Sequence, residues 1–286
     1  MGYLSDIPTD TTYQTATTSG FKIEYDHING EINIISKPDY NDIVSDSLIS
    51  YWKLDETAPK SCAGQDVCDS ALADLNGSWI GDTTNVNAKY NSGLQFDGNL
   101  DYVDFGSRNS IGGLSEASIC TWIYYTQPSI TTDGTIIGRY KDSDGEHEIG
   151  WLFWIDNEAA FSGNTDTVSF TTTPGNTTFG RVEGTTGLIT PQIWEHYCGV
   201  FKGGQYIRIY KNGILNAESS ISIDPVVSTN TNTNLTMGML DNGNRALSAI
   251  LDDVRIYYKA LSDTEVQAVY SYYSIKKEFH CLCDRQ

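Results

Sequence analysis

Glu146 and Glu148 stand on alternate residues in the run EHEIGW, residues 146–151. In a strand that spacing puts both carboxylates on one face, the arrangement retaining glycosidases use for nucleophile and acid. The pair sits beside the turn Asp144-Gly145 and reads as two solvated loop acids rather than a catalytic pair. The surrounding segment DSDGEHE (142–148) resembles a fragment of a calcium loop, but without the EF-hand spacing it reads as a hairpin turn. A Ser-His-Asp triad has no support: there is no G-x-S-x-G, and the 4 His are scattered. His196 alternates with Cys198 on an apparent strand and reads as a packed histidine.

The 6 cysteines offer a second kind of chemistry. Cys281 and Cys283 form a C-x-C, and Cys62 and Cys68 flank AGQDV. No C-x-x-C or paired His accompanies them, so disulfides are expected rather than zinc. Cys62 and Cys68 are spaced to close a short loop. Cys120 and Cys198 each lie inside an apparent strand, as a bridge or as two buried thiols. Aromatic rings that stack on sugar faces are a third resource. Of the 6 Trp, Trp52, Trp122 and Trp194 sit in strong strand signals and read as core. Trp151 and Trp154 are three apart in WLFW, so on a strand they point to opposite faces, and one of them must leave the core. Trp79 lies in a loop-rich stretch and is the other candidate ligand contact.

These residues need a frame, and strand signals supply most of it. Over 46 to about 258, runs such as LISYWKL, SGLQFDG, ASICTWIYY, IGWLFWI, WEHYCGVF and ILDDVRIYY recur between Gly, Asp and Asn. Many short strands with turn residues between them predict an antiparallel sandwich. The Thr- and Asn-rich stretches at 163–190 and 228–236 read as long exposed loops on its rim. One helix is predicted over 260–273, opened by the capping box Ser262-x-x-Glu265, with Val266, Val269 and Tyr270 on one face. Residues 1–45 form a small unit with a hairpin over 21–36, turning at Asn29-Gly30. The sandwich, its helix and the tail take 46–286. The abrupt Met1-Gly2 start suggests that a preceding, anchoring segment has been removed.

Composition narrows the partners. The 18 Lys+Arg against 37 Asp+Glu give a net charge of -19, which excludes nucleic acid, since a phosphate backbone needs clustered bases. No apolar run is long enough for a membrane span. An even cysteine count fits an oxidising compartment, outside the cell or on its surface.

The strand order then resembles a known family. LISYWKLDE (48–56), SGLQFDGNLDYVDFG (92–106), ASICTWIYY (117–125), WEHYCGVF (194–201), YIRIYKNG (206–213) and LDDVRIYYKALSDTEV (251–266) resemble the laminin-G-like, concanavalin A-type lectin/glucanase fold. The resemblance implies an all-β jelly-roll of two antiparallel sheets. Pentraxins resemble the chain further, and that likeness implies a Cys120–Cys198 bridge. Related glucanases hold a structural Ca²⁺ between first and last strands, which implies a site built from Asp252 with Asp55 or Asp69, and with Asp253 beside them. Laminarinase-type glucanases carry an E-x-D-x-E run, and the third carboxylate is missing here. Residues 1–45 are similar to the C-terminal half of a type IV pilin or pseudopilin head. The implied function is a non-catalytic adhesion module for a glycan or a surface protein, displayed with other pilins. A structural pilus subunit and a divergent glycan-active enzyme are the rivals.

Overall fold

Short runs of Val, Ile, Tyr, Phe and Thr, broken by Asn-Gly and Asp-Gly pairs, leave this chain little to form but strands. The computed structural model describes residues 15–18, 21–26, 31–36, 45–71, 74–107, 111–141, 149–157, 163–174, 180–220 and 233–272. Glu146, Glu148, Cys281 and Cys283 lie outside the described residues, as does the Asn29-Gly30 turn.

Two compact units divide the chain, and the larger is Ser47–Tyr273. In the smaller unit, β1 (Thr15–Thr18), β2 (Phe21–Asp26) and β3 (Glu31–Ser36) form an antiparallel sheet in that order. The β2–β3 pairing closes on Asp26 opposite Glu31. β1 is an addition to the expected hairpin. Its sequence, TATT, has no apolar alternation to announce it.

The larger unit is a sandwich of two antiparallel sheets. One has β4 (Leu48–Trp52), β6 (Thr84–Asn87), β7 (Ser92–Asp97), β9 (Glu116–Tyr125), β14 (Trp194–Lys202), β15 (Tyr206–Lys211), β16 (Ile214–Ser219) and β18 (Ser248–Tyr257). Their order is β16-β15-β14-β9-β18-β7-β6, and β4 pairs beside β7 along the second half of β18. The other contains β5 (Ser78–Ile80), β8 (Tyr102–Asp104), β10 (Gly134–Lys141), β11 (Ile149–Asp156), β12 (Thr167–Pro174), β13 (Gly180–Glu183) and β17 (Thr236–Met237), in the order β13-β12-β11-β10-β17-β8-β5.

Alternation decides what each sheet buries. Trp151, Phe153 and Ile155 of β11 meet Ile119, Ile123, Tyr197 and Phe201 of the facing sheet in one apolar core. The intervening residues point away from it, so each sheet has an outward face. On the β9–β14–β18 sheet that face is covered by helix α1 (263–272). The capping box forms: the Ser262 N–H donates to Glu265 Oε2 at 2.8 Å, and the Glu265 N–H donates to Ser262 Oγ at 3.4 Å. Val266, Ala268 and Val269 of α1 are buried.

One expectation is corrected here. The Thr-rich stretch within 163–190 is not a rim loop: it contains β12 and β13, and Thr167, Ser169, Thr171 and Thr173 are buried. Val168 and Phe170 alternate with the hydroxyl residues, so a period of two runs under a polar composition. Thr is β-branched and favours the extended backbone. In 228–236, Thr233 is likewise buried and Thr236 begins β17.

Candidate functional site

The acids expected to hold calcium are placed first, because each of the four is already engaged. Asp69 Oδ1 accepts the N–H groups of Tyr51 and Ala71, both at 2.9 Å, and Oδ2 accepts that of Leu75 at 3.0 Å. It organises the loop after the Cys62–Cys68 disulfide. Asp253 pairs with the buried Arg255 at 2.9 Å. Asp252 Oδ2 accepts the Tyr90 N–H at 2.7 Å. Burial, with Asp253 and Asp55 nearby, pushes the Asp252 carboxyl up to about 8. Asp55 accepts the Ser92 N–H at 3.1 Å. β18 carries an extra residue between Asp252 and Arg255, and Asp253 sits at φ 58°. That bulge turns Asp253 to its arginine. With Asp69 saturated by amides and Asp253 ion-paired, this group leaves few oxygens for a hard cation that wants six to eight.

Carboxylates converge elsewhere. Asp82, Asp97 and Asp101 bring oxygens within 4.8 Å of one another. Asp101 accepts the N–H groups of Asp82 at 2.9 Å and Asp97 at 3.2 Å, and burial pushes its carboxyl up to about 6. The cluster braces the β7–β8 turn.

The tryptophans divide as their spacing requires, but not into a stacking platform. Trp151 lies in the core, where its Nε1 donates to the Ile111 carbonyl at 3.2 Å. Trp79 is half-buried and packs against the same core. Trp154 faces the other way, yet it is only 2% exposed. The guanidinium groups of Arg245 and Arg181 lie over its ring, 4.2 and 4.7 Å from the centroid. The buried rings of Trp151 and Trp154 offer no face to a sugar, and Trp79 keeps only part of its surface open. Trp52 is core, as expected. Trp122 is buried on the outward face beneath α1, against His196 and Tyr270 at 5.2 and 5.5 Å. Under that same cover, Cys198 lies directly opposite Cys120 and the two are bridged. Burial lowers the His196 ring to about 3, so it is a neutral packed histidine.

Around Trp154 the outward face combines a small apolar cluster, with Tyr140, Leu152 and Leu240, with charged groups. Arg181 ties Asp156, with Ser169 Oγ donating to the same carboxylate at 3.0 Å, and reaches Glu183 at 2.9 Å. Both carboxylates thus answer one arginine and are not disposed as separate acid and nucleophile. Beside them opens a cleft of about 510 Å³, lined by Gly98, Thr131, Thr132, Asp133, Asn157, Asn244, Arg245 and Ala246. Four connections build it: β7–β8, β9–β10, β11–β12 and β17–β18. Asp133 fixes two of them, because Oδ1 accepts the Asn157 N–H at 2.9 Å and Oδ2 pairs with Arg245 at 2.8 Å. Gly98 is required by geometry. It sits at φ 89°, and a Cβ there would meet Ser248 Oγ at 2.3 Å. No sequence motif pointed to Asp133, Asn157, Asn244 or Arg245. The signals available were the turn pairs Asp133-Gly134 and Asn242-Gly243.

Comparison places this architecture. The sequence profile of the concanavalin A-like lectin/glucanases superfamily, in its Laminin_G_3 branch, matches residues 97–267, more than half the chain. The chain belongs to this family. No curated protein sequence matches it. Among solved structures it is similar to the binding domain of Paraclostridial Mosquitocidal Protein 1, with TM-score 0.60 and 15% identity over 80% of this chain and 53% of that one. Domain 4 of AbnA, a GH43 extracellular arabinanase from Geobacillus stearothermophilus solved with arabinotriose, gives TM-score 0.56 and 16% identity over 78% and 98%. The binding domain of botulinum neurotoxin serotype D gives 0.58 and 16% over 82% and 53%. The chain thus spans about half the length of the toxin binding domains. At these identities the likeness shows the fold.

Proposed function

We propose that this family member is a non-catalytic carbohydrate-binding module, exported or displayed at a cell surface, with the Asp133–Arg245 cleft as its site. The observation that carries this reading is the cleft itself: an open, polar recess on four loops of a rigid sandwich, where binding residues are usually held. The arabinanase domain supports it, since that protein, alike over nearly its whole length, was solved with a sugar. The toxin binding domains support a recognition role more broadly. Two disulfides fit an oxidising compartment. No described helix is long and apolar enough to cross a membrane.

In this mechanism the sandwich holds the loops still and the cleft reads hydroxyl groups. A glycan array followed by calorimetry tests it. Asn157→Ala and Asn244→Ala are each expected to weaken the best glycan at least about tenfold with the fold intact, the loss of one or two hydrogen bonds. A folded protein that binds no glycan but captures a surface protein would overturn the reading. Display alongside pilins is the finer part of the proposal. It rests on the resemblance of residues 1–45, of which β1–β3 form a three-stranded antiparallel sheet. Removing 47–273 should then abolish attachment and spare assembly.

A further inference from the structure

We infer that the cleft selects neutral oligosaccharides and rejects acidic ones. This rests on the carbohydrate-binding reading above and goes on to name the sugar class. The one cation in the cleft is engaged twice: Arg245 pairs with Asp133 at 2.8 Å, and its guanidinium lies 4.2 Å over Trp154. The remaining polar side chains are those of Thr131, Thr132, Asn157 and Asn244. Their hydroxyl and side-chain amide groups make no hydrogen bond among the described residues, so they face the opening with donors and acceptors to spare. An amide offers two donors and an acceptor side by side, the pattern that adjacent sugar hydroxyls complement.

Charge completes the selection. Asp97, next to Gly98 in the chain, belongs to the cluster of Asp82, Asp97 and Asp101, and the chain carries a net charge of -19. A protein of that net charge repels an anionic sugar at long range. To reach Arg245 it must also displace Asp133, whose side chain is only 10% exposed and would lose its partner there. A neutral sugar pays neither penalty. The cleft, at about 510 Å³, holds a short chain of rings.

The experiment is calorimetry on the full chain with matched pairs: lactose against 3′-sialyllactose, and arabinotriose or xylotriose against tri-galacturonic acid. The expected result is that the neutral member of a pair binds at least about tenfold tighter, with little dependence on salt between 50 and 300 mM. Asn157→Ala should weaken it, and Asp133→Asn, which removes the carboxylate charge paired with Arg245, should narrow or invert the preference. Tighter binding of the acidic member, falling steeply with salt, overturns the selectivity while leaving the carbohydrate reading standing. Equal affinity for both members does the same. Binding of no sugar by a protein that melts cooperatively overturns both. A preference unmoved by Asp133→Asn removes the ion pair as its cause and overturns the inference as drawn.

Discussion

Trp122 and Trp154 are a matched pair: each stands on the outward face of its sheet, and each has a cation over its ring. Lys89 lies 4.3 Å from the Trp122 centroid, and Arg245 lies 4.2 Å from that of Trp154. Their surroundings differ. Trp122 is enclosed by Tyr90, His196 and Tyr270, and α1 closes over it. Trp154 packs with Tyr140, Leu152 and Leu240 but carries charged groups over its ring, and one of its two arginines forms the edge of an open cleft. The first face is a closed hydrophobic core. The second is a support for a polar site. An outward tryptophan is thus not in itself a ligand platform, and what it borders decides its use.

The sharpest test of this comparison is Trp122→Ala, expected to cost about 3–5 kcal/mol in denaturant unfolding, since a large ring leaves a filled site. Glycan affinity per folded molecule should not change. Next is Arg181→Met, which leaves the buried Asp156 without its guanidinium and is expected to cost about 3 kcal/mol. If it costs no more than a surface substitution, the polar face is not the buried network described. A third test uses pH. The folded Asp252 carboxyl titrates near 8, against about 3.9 in the unfolded chain. The native state therefore binds the extra proton between those values, and stability falls as pH rises from about 4 to 8. Asp252→Asn should flatten that slope and raise the melting temperature at pH 9 more than at pH 5. The smallest effect belongs to Lys89→Ala, about 0.5–1 kcal/mol for a half-exposed cation over a ring. Together, Arg181 and Lys89 separate a cation that neutralises a buried charge from one that lies over an indole.

The sandwich was legible because its strands carry apolar alternation and end on turn residues. WLFW even divided its two tryptophans between faces correctly. The capping box placed α1 to within a few residues. The outward polar face was not legible: TVSFTTTP hides its alternation inside threonine, and composition argued for a loop. The cleft was less legible still. Asp133-Gly134 and Asn242-Gly243 mark turns, but which turns share an end follows from β17 lying beside β10, a long-range pairing. The acids misled for a related reason. Asp69 looks available until the chain folds three amides onto it, and Asp253 until a bulge turns it to Arg255.

The Cys120–Cys198 bridge joins neighbouring strands but spans 78 residues of chain. Tension drawn through the chain from outside that segment passes across the sulfur bond and bypasses roughly 260 Å of contour. β10 to β13 therefore bear no load, and with them Thr131, Thr132, Asp133 and Asn157. Asn244, Arg245 and Gly98 lie on the loaded path. A pull on the tethered protein separates the two walls of the cleft at the Asp133–Arg245 contact. Its hold on the proposed glycan would then be set by how β18 and β7 resist being peeled from the sheet, not by the strands that hold most of the wall.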